Sequence, residues 1–159
     1  MLDLGCGDGA NARYLSDRFD VVGVDVSEEQ LRLARAAAPA ATFVQADFME
    51  LAFPDSSFDA VTALYSLMHV PRDEHAALVS RIRRWLRPGG LFLASLSHRG
   101  GPDRIEDWLG VEMFFSGFDA DTSGQLVREA GFELLHEELV AMQAPAGEIA
   151  FLWVLGGVR

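Results

Sequence analysis

The stretch "DLGCGDG" at Asp3–Gly9 constrains the fold of this chain more than any other feature. Leu2 and Leu4 flank Asp3 with the alternation of a strand ending, and "NARYLSDRF" then takes up a helical rhythm. A strand that turns directly into a helix needs backbone at positive φ and close approach of main chain to its neighbours. Glycine meets both demands at least cost, which accounts for Gly5, Gly7 and Gly9 at alternate positions. Backbone N–H groups at such a helix start are free to meet polar or anionic ligand atoms. The spacing is G-x-G-x-G, whereas the dinucleotide fingerprint is G-x-G-x-x-G.

Strand and helix signals alternate along the remaining chain, the pattern of a parallel sheet with helices on both faces. A helix is predicted over Asn11–Arg18 and a buried strand over Val21–Asp25. Ser27 with Gln30 fits a capping box for the helix "SEEQLRLARAAAP", and Pro39 closes it. "TFVQAD" reads as a third strand, "FPDSS" as a turn and "FDAVTALYSL" as a fourth strand. Leu78, Val79, Ile82, Trp85 and Leu86 fall three or four apart, so Asp73–Leu86 is predicted to be a helix with one buried stripe. Pro88, Gly89 and Gly90 end it ahead of a fifth strand, "LFLASLS". The stretch "HRGGPDRIEDWLGVEMFFSGFD" is expected to be a loop of functional length. "ADTSGQLVREAG" is a helix capped by Gly131, and "FELLHEELV" and "EIAFLWVLGGV" look like an antiparallel pair. No repeat, linker or low-complexity tract divides the 159 residues, and one domain over 1–159 is expected.

Charge narrows the partners. The formal net charge of −11 argues against binding a phosphate backbone, and the basic run "RIRRW" lies inside an amphipathic helix as its solvated face. Nucleic acid is therefore not an expected partner. No run reaches the roughly 20 apolar residues of a membrane span, so no membrane association is expected. The single cysteine, Cys6, has no partner for an internal disulfide, and a cytoplasmic location is the simplest expectation. Histidines and acids do not recur at ligand spacing, and no metal site is expected.

Two acids extend the glycine turn. Asp25 ends the second strand about 20 residues after the turn, where a carboxylate accepts both hydroxyls of a ribose. Its plainer role is to cap the next helix, although Ser27 already offers that. Asp47 ends the third strand, where it could accept an adenine amine with Phe48 and Met49 against the ring; alternatively it is a turn acid. Ligands of open α/β sheets bind beyond the carboxyl ends of the strands, and all three features lie there.

"LDLGCGDG", "VVGVDVS", "QADFMELAFPDSSFDAV" and "WLRPGGLFLASL" together resemble the ordered motifs of class I S-adenosylmethionine-dependent methyltransferases. The resemblance covers almost the whole chain. It implies a Rossmann-like, doubly wound seven-stranded sheet, mostly parallel with an antiparallel last strand and helices on both faces. It implies S-adenosyl-L-methionine as cofactor and a small molecule as methyl acceptor. Asp3, Gly5, Gly7 and Gly9 would hold its methionine part and approach the ribose, with Cys6 also among the cofactor-binding residues; Asp25 would take the ribose hydroxyls, and Val26, Asp47 and Phe48 would meet the adenine. Leu64 and Ser66 would lie against the cofactor. Members of the family usually carry a helical segment ahead of the glycine strand; here Met1 stands within that strand, and a longer parent chain is the expectation.

His69 and His98 follow the fourth and fifth strands at the ligand-facing end. Each is a candidate base, or a capping residue of the strand end. His75 and His136 receive no role. Trp108, Met113, Phe114 and Phe115 are too apolar for a plain exposed loop, and either line an acceptor pocket or cover the sheet. An NAD(P)-linked oxidoreductase is disfavoured by the glycine spacing and by the absence of any lysine. A non-catalytic cofactor-binding subunit, completed by a partner, is the alternative from another class. Monomer and homodimer are both compatible with the sequence.

Overall fold

The computed structural model describes residues 1–108, 110–144 and 147–159. Among them a seven-stranded sheet forms in the order β3-β2-β1-β4-β5-β9-β8. Its members are β1 (Leu2–Leu4), β2 (Val22–Asp25), β3 (Thr42–Gln45), β4 (Phe58–Ala63), β5 (Leu86–Leu96), β8 (Glu133–Ala144) and β9 (Gly147–Gly157). Strands β1 to β5 pair in parallel, and β9 runs antiparallel to both β5 and β8. Strand β8 therefore points the same way as β5, and only the last strand is reversed. The expected Rossmann-like, mostly parallel seven-stranded sheet is the observed one.

Helices α1 (Ala10–Leu15), α2 (Glu28–Ala37), α3 (His75–Trp85) and α4 (Ala120–Glu129) join the strands. Ser27 caps α2, its side chain accepting the Gln30 N–H, with Glu28 and Glu29 in the first turn. Gly131 follows α4 at φ 93°, the left-handed cap its position called for. Sheet and helices enclose one large apolar cluster, including Leu2, Leu4, Val61, Leu78, Ile82 and Phe92. Burial of a single side chain of this kind stabilises by about 1.5–3 kcal/mol, so the α3 stripe alone is a large contribution.

Several boundaries differ from the sequence reading, each for a local reason. The fourth strand stops at Ala63 because the chain leaves the sheet there: Tyr65 adopts φ 57°, its N–H donates to Ser95 Oγ at 2.6 Å, and Leu67–His69 close a 3-10 turn. The third strand ends at Gln45, since Asp47 turns the chain by accepting the Met49 N–H at 2.8 Å. Pro88–Gly90 do not separate helix from strand. α3 ends at Trp85, and β5 begins at Leu86 and carries those residues as a bulge, pairing Phe58 with Leu86 and then Ala60 with Leu91.

The largest correction concerns the stretch expected to be a loop. Arg104–Trp108 and Val111–Phe115 pair antiparallel as β6 and β7, a separate two-stranded sheet. Gly110 at φ 86° takes the turn, and its N–H donates to Asp107 Oδ1 at 3.0 Å. Leu109, in that same stretch, lies outside the described residues. No helix among the described residues is long and apolar enough to cross a membrane.

Candidate active site

The strand order reverses between β1 and β4: connections from β1 lead outward through β2 to β3, and the chain then returns to β4 on the other side of β1. Such a switch point leaves a crevice at the carboxyl ends of the strands. Gly5 and Ser66 face each other across it. A Cβ on Gly5 would overlap the Ser66 Cβ, and would stand 3.7 Å from the Phe48 ring. The glycine is therefore required by contact as well as by its φ of 70°. Gly9 is held as tightly, since a Cβ there would stand 2.8 Å from Ala34 of α2. These contacts bring Gly5, Phe48 and Ser66 to one place from three separate loops.

The crevice is acidic. Asp3 is buried at 1% exposure; its Oδ1 accepts the Thr62 hydroxyl at 2.6 Å, and its Oδ2 has no partner. Burial pushes the Asp3 carboxyl above the usual carboxylate range, and the charge of Asp25 adds to the rise against the Thr62 hydrogen bond. Asp25 receives the N–H of Gly7 on Oδ2 and that of Ser27 on Oδ1, each at 2.9 Å. Asp25 thus braces the glycine turn and the turn before α2, and each of its oxygens keeps a lone pair beyond these bonds. The Ser66 hydroxyl is buried without a partner. Orphaned buried acceptors cost free energy until something bonds them.

Other residues singled out from sequence fall at varying distances from this centre. Leu64 is half-buried at the end of β4, and Val26, 62% exposed, follows β2. Asp47 is exposed and spends Oδ1 on its own turn. The Cys6 thiol turns under the glycine loop: it lies 2.9 Å from where a Gly23 Cβ would be. Burial, followed by the charges of Asp3 and Asp25, pushes that thiol up to about 12, which makes it a packing group. Only its backbone belongs to the turn, its N–H bonding the Val24 carbonyl at 3.0 Å.

Beside the crevice opens a cavity of about 500 Å³, of the size that encloses small-molecule ligands. The segment after β4 divides the two spaces, with Ser66 toward the glycine turn and Tyr65, Met68 and His69 on the cavity wall. One side is the β6–β7 hairpin. Its pairing puts Arg104, Glu106, Trp108, Met113 and Phe115 on one face, and all five line the cavity. Phe114 belongs to the other face and does not line it; instead its carbonyl meets His69 Nδ1 at 2.8 Å. The opposite side is the β8–β9 hairpin. Its tip runs past Leu96, where β5 stops pairing, and supplies Met142, Gln143, Glu148, Ile149 and Phe151.

Sequence reasoning missed Tyr65 and the whole β8–β9 wall. Tyr65 stands edge-on to Phe151 at 4.9 Å and to Trp153 at 6.0 Å. The continuous apolar run Ile149–Leu155 marks a strand but says nothing of its reach beyond the sheet. The hairpin itself had a signal, since "VEMFF" alternates and Gly110 follows an acid by three residues. His75, given no role, is buried; its Nε2 meets the Val70 carbonyl at 2.9 Å and Ser116 Oγ at 3.3 Å. Ser116 also bonds the Val70 carbonyl, so this pair anchors the end of β7 to the turn that carries His69. No cluster of three His, Cys, Asp or Glu suited to a metal occurs among the described residues.

Known proteins are similar to this chain in sequence and fold. A methyltransferase domain family matches residues 1–90. The chain is 34% identical over 159 residues to a sterol 24-C-methyltransferase of Gibberella zeae, with 89% of this chain and 41% of that protein covered. It thus spans less than half the length of that relative. It is 31% identical over 150 residues to an uncharacterized methyltransferase of Synechocystis sp., with 89% and 70% covered. The structure superposes with TM-score 0.78 on a 1,6-didemethyltoxoflavin-N1-methyltransferase of Burkholderia thailandensis, solved with 1,6-didemethyltoxoflavin and S-adenosylhomocysteine bound. That match is 25% identical and covers 99% of this chain and 70% of the other. By the family match and the Synechocystis relative, with the sheet order and glycine crevice in agreement, the chain belongs to the methyltransferase domain family.

Proposed function

We propose that residues 1–159 act as one domain that transfers a methyl group from S-adenosyl-L-methionine to a small-molecule acceptor. The observation that carries this reading is the half-partnered Asp3 carboxylate beneath the glycine turn, with Asp25 beside it. An acidic, amide-braced crevice suits a ligand that brings positive charge and hydroxyls. It is a poor seat for the pyrophosphate of a dinucleotide, which the Asp3 and Asp25 charges would repel. S-adenosylmethionine, when bound, supplies an electrophilic methyl on a cationic sulfur.

The chain's own residues then bind and position. Asp3 Oδ2 accepts from the ammonium of the methionine part, which relieves its orphaned burial. Gly5, Gly7 and Gly9 let the backbone approach. Asp25 takes the ribose hydroxyls, Val26 and Phe48 flank the adenine, Asp47 its amine, and Leu64 and Ser66 close against the cofactor. The acceptor occupies the neighbouring cavity, and the Tyr65–His69 segment is the boundary across which the methyl passes. Placement of this kind supplies most of what a displacement reaction asks of a protein. The net charge of −11 supports a small acceptor over nucleic acid. The lone buried Cys6 fits a reducing compartment such as the cytoplasm, with the chain as monomer or homodimer.

Calorimetric titration with S-adenosylhomocysteine tests the cofactor reading. Micromolar binding is expected, lost in Asp25→Ala and in Asp3→Asn, with none for NAD. Equal binding of NAD, or undiminished binding in both variants, would overturn it.

A further inference from the structure

We propose that the acceptor is an apolar ring compound bearing a phenolic or enolic hydroxyl, and that His69 takes the proton of that hydroxyl as the methyl is transferred. The inference rests on the reading of the chain as a methyltransferase and narrows it to oxygen methylation.

The geometry distinguishes the two candidate histidines. A backbone carbonyl only accepts, so the 2.8 Å contact of His69 Nδ1 with the Phe114 carbonyl places the ring hydrogen on Nδ1. The neutral ring then carries its lone pair on Nε2, and no hydrogen bond engages that atom among the described residues. The ring is exposed, lines the cavity, and packs 5.2 Å from Phe115. A base with a fixed tautomer, a carbonyl orienter and an unengaged nitrogen is the arrangement general-base catalysis needs. His98 lacks it. Arg99 Nε donates to His98 Nε2 at 3.0 Å, which occupies that lone pair. Because a carbonyl only accepts, the β7 strand holds His69 in register with the cavity without competing for the incoming proton.

The cavity selects the rest of the molecule. Its walls are largely apolar and aromatic, with Tyr65, Trp108, Phe115 and Phe151 available to ring faces and edges. Its charged groups are two of each sign, Arg99, Arg104, Glu106 and Glu148. Arg104 is committed, with Nε 2.7 Å from Glu106 and the guanidinium 5.6 Å from the Phe115 ring centre. The four charges sum to zero, so a phosphorylated or strongly cationic acceptor meets no net opposite charge, whereas a neutral ring with one ionisable hydroxyl does not need any. In the transfer the O–H bond breaks, its electron pair staying on oxygen and the proton going to His69 Nε2. That oxygen forms the new bond to the methyl carbon as the C–S bond breaks with its pair to sulfur. The sulfonium charge is thereby discharged, and Nε2 passes one proton to solvent.

7-Hydroxycoumarin is a suitable probe because its absorbance separates phenol from phenolate. The full chain would be titrated with it in the presence of S-adenosylhomocysteine near neutral pH, alongside His69→Gln and a remote control, His136→Gln. The wild type and control are expected to bind the probe and to raise its phenolate fraction over that in buffer. His69→Gln should still bind S-adenosylhomocysteine, which reports its folding, and lose the phenolate increase. With S-adenosylmethionine, conversion to 7-methoxycoumarin should fall about 10²-fold or more in His69→Gln, the usual range for loss of a general base. 7-Aminocoumarin should be methylated more slowly than the phenol. An unchanged phenolate fraction and rate in His69→Gln, preferred methylation of the amine, or no binding of the phenol would each overturn the proposal. Retained S-adenosylhomocysteine binding in that last case would leave the methyltransferase reading standing; its loss would sink that reading instead.

Discussion

Replacement of Gly5 by alanine tests whether contact at the switch point, and not chain flexibility alone, requires glycine there. The added Cβ meets two separate costs. At φ 70° an L-residue sits in the left-handed region, about 1–2 kcal/mol above its preferred backbone. The new methyl also overlaps the Ser66 Cβ, and overpacking of a tight contact costs roughly 1–3 kcal/mol. Together these amount to roughly 2–5 kcal/mol, a large share of the 5–15 kcal/mol that holds an ordinary domain together. Gly110 separates the terms, because it has φ 86° with nothing within 4 Å of its would-be Cβ. Gly110→Ala should cost the backbone part only. Ser66→Gly removes the overlapped atom, so Gly5→Ala with Ser66→Gly should be less destabilised than the sum of the singles, by roughly 0.5–3 kcal/mol. Urea unfolding followed by tryptophan fluorescence gives all four corners of the cycle, with Trp85 buried in the core as reporter. A Gly5→Ala cost no larger than that of Gly110→Ala, or an additive cycle, would refute the contact argument.

Two pH dependences follow from buried groups, with opposite signs. The Asp3 carboxyl is raised, so the folded chain holds its proton more tightly than the unfolded one. Its contribution is full below about pH 4 and declines as pH rises through the folded value, by at most about 1.4 kcal/mol per pH unit. Urea unfolding of ligand-free Asp3→Asn and wild type from pH 4 to 8 should show the variant gaining relative stability as pH rises; a constant difference would contradict this. Burial lowers His75, so its stability contribution is present above about pH 6.5 and lost as pH falls from there toward the folded value. His75→Gln should flatten that acid-side decline, and an unaltered slope between pH 7.5 and 5.5 would count against it. Phe151→Ala, which opens one cavity wall, should weaken 7-hydroxycoumarin binding at least fivefold while S-adenosylhomocysteine affinity stays within twofold; equal losses of both would merge the two sites into one.

The parts of the site that lie close to the strand ends were legible from local pattern. The glycine turn, Asp25 and Asp47 each follow directly on an apolar run, and a strand end points its next residues into the crevice whatever the rest of the fold does. Reading failed where a side chain's direction depended on pairing. Phe114 and Phe115 are adjacent and equally apolar, yet hairpin register turns one ring to the cavity and the other away. Cys6 sits within the glycine motif, but packing on Gly23 directs its thiol beneath the turn. His69 and His98 occupied equivalent places after their strands. The distant Phe114 carbonyl orients one ring, while the adjacent Arg99 occupies the other.

Periodicity and the glycine spacing thus sufficed for an alternating strand–helix chain with a ligand crevice beyond its strands, because both are properties of a few consecutive residues. The cavity beside that crevice was decided only by tertiary structure. It is made where β6–β7, the turn after β4 and the far end of β8–β9 come together, and those segments are separated by dozens of residues. No local interaction sets how far a hairpin projects past its sheet. That reach depends on where Leu96 stops pairing with Leu152, and so the wall carrying Phe151 exists only once the sheet has assembled.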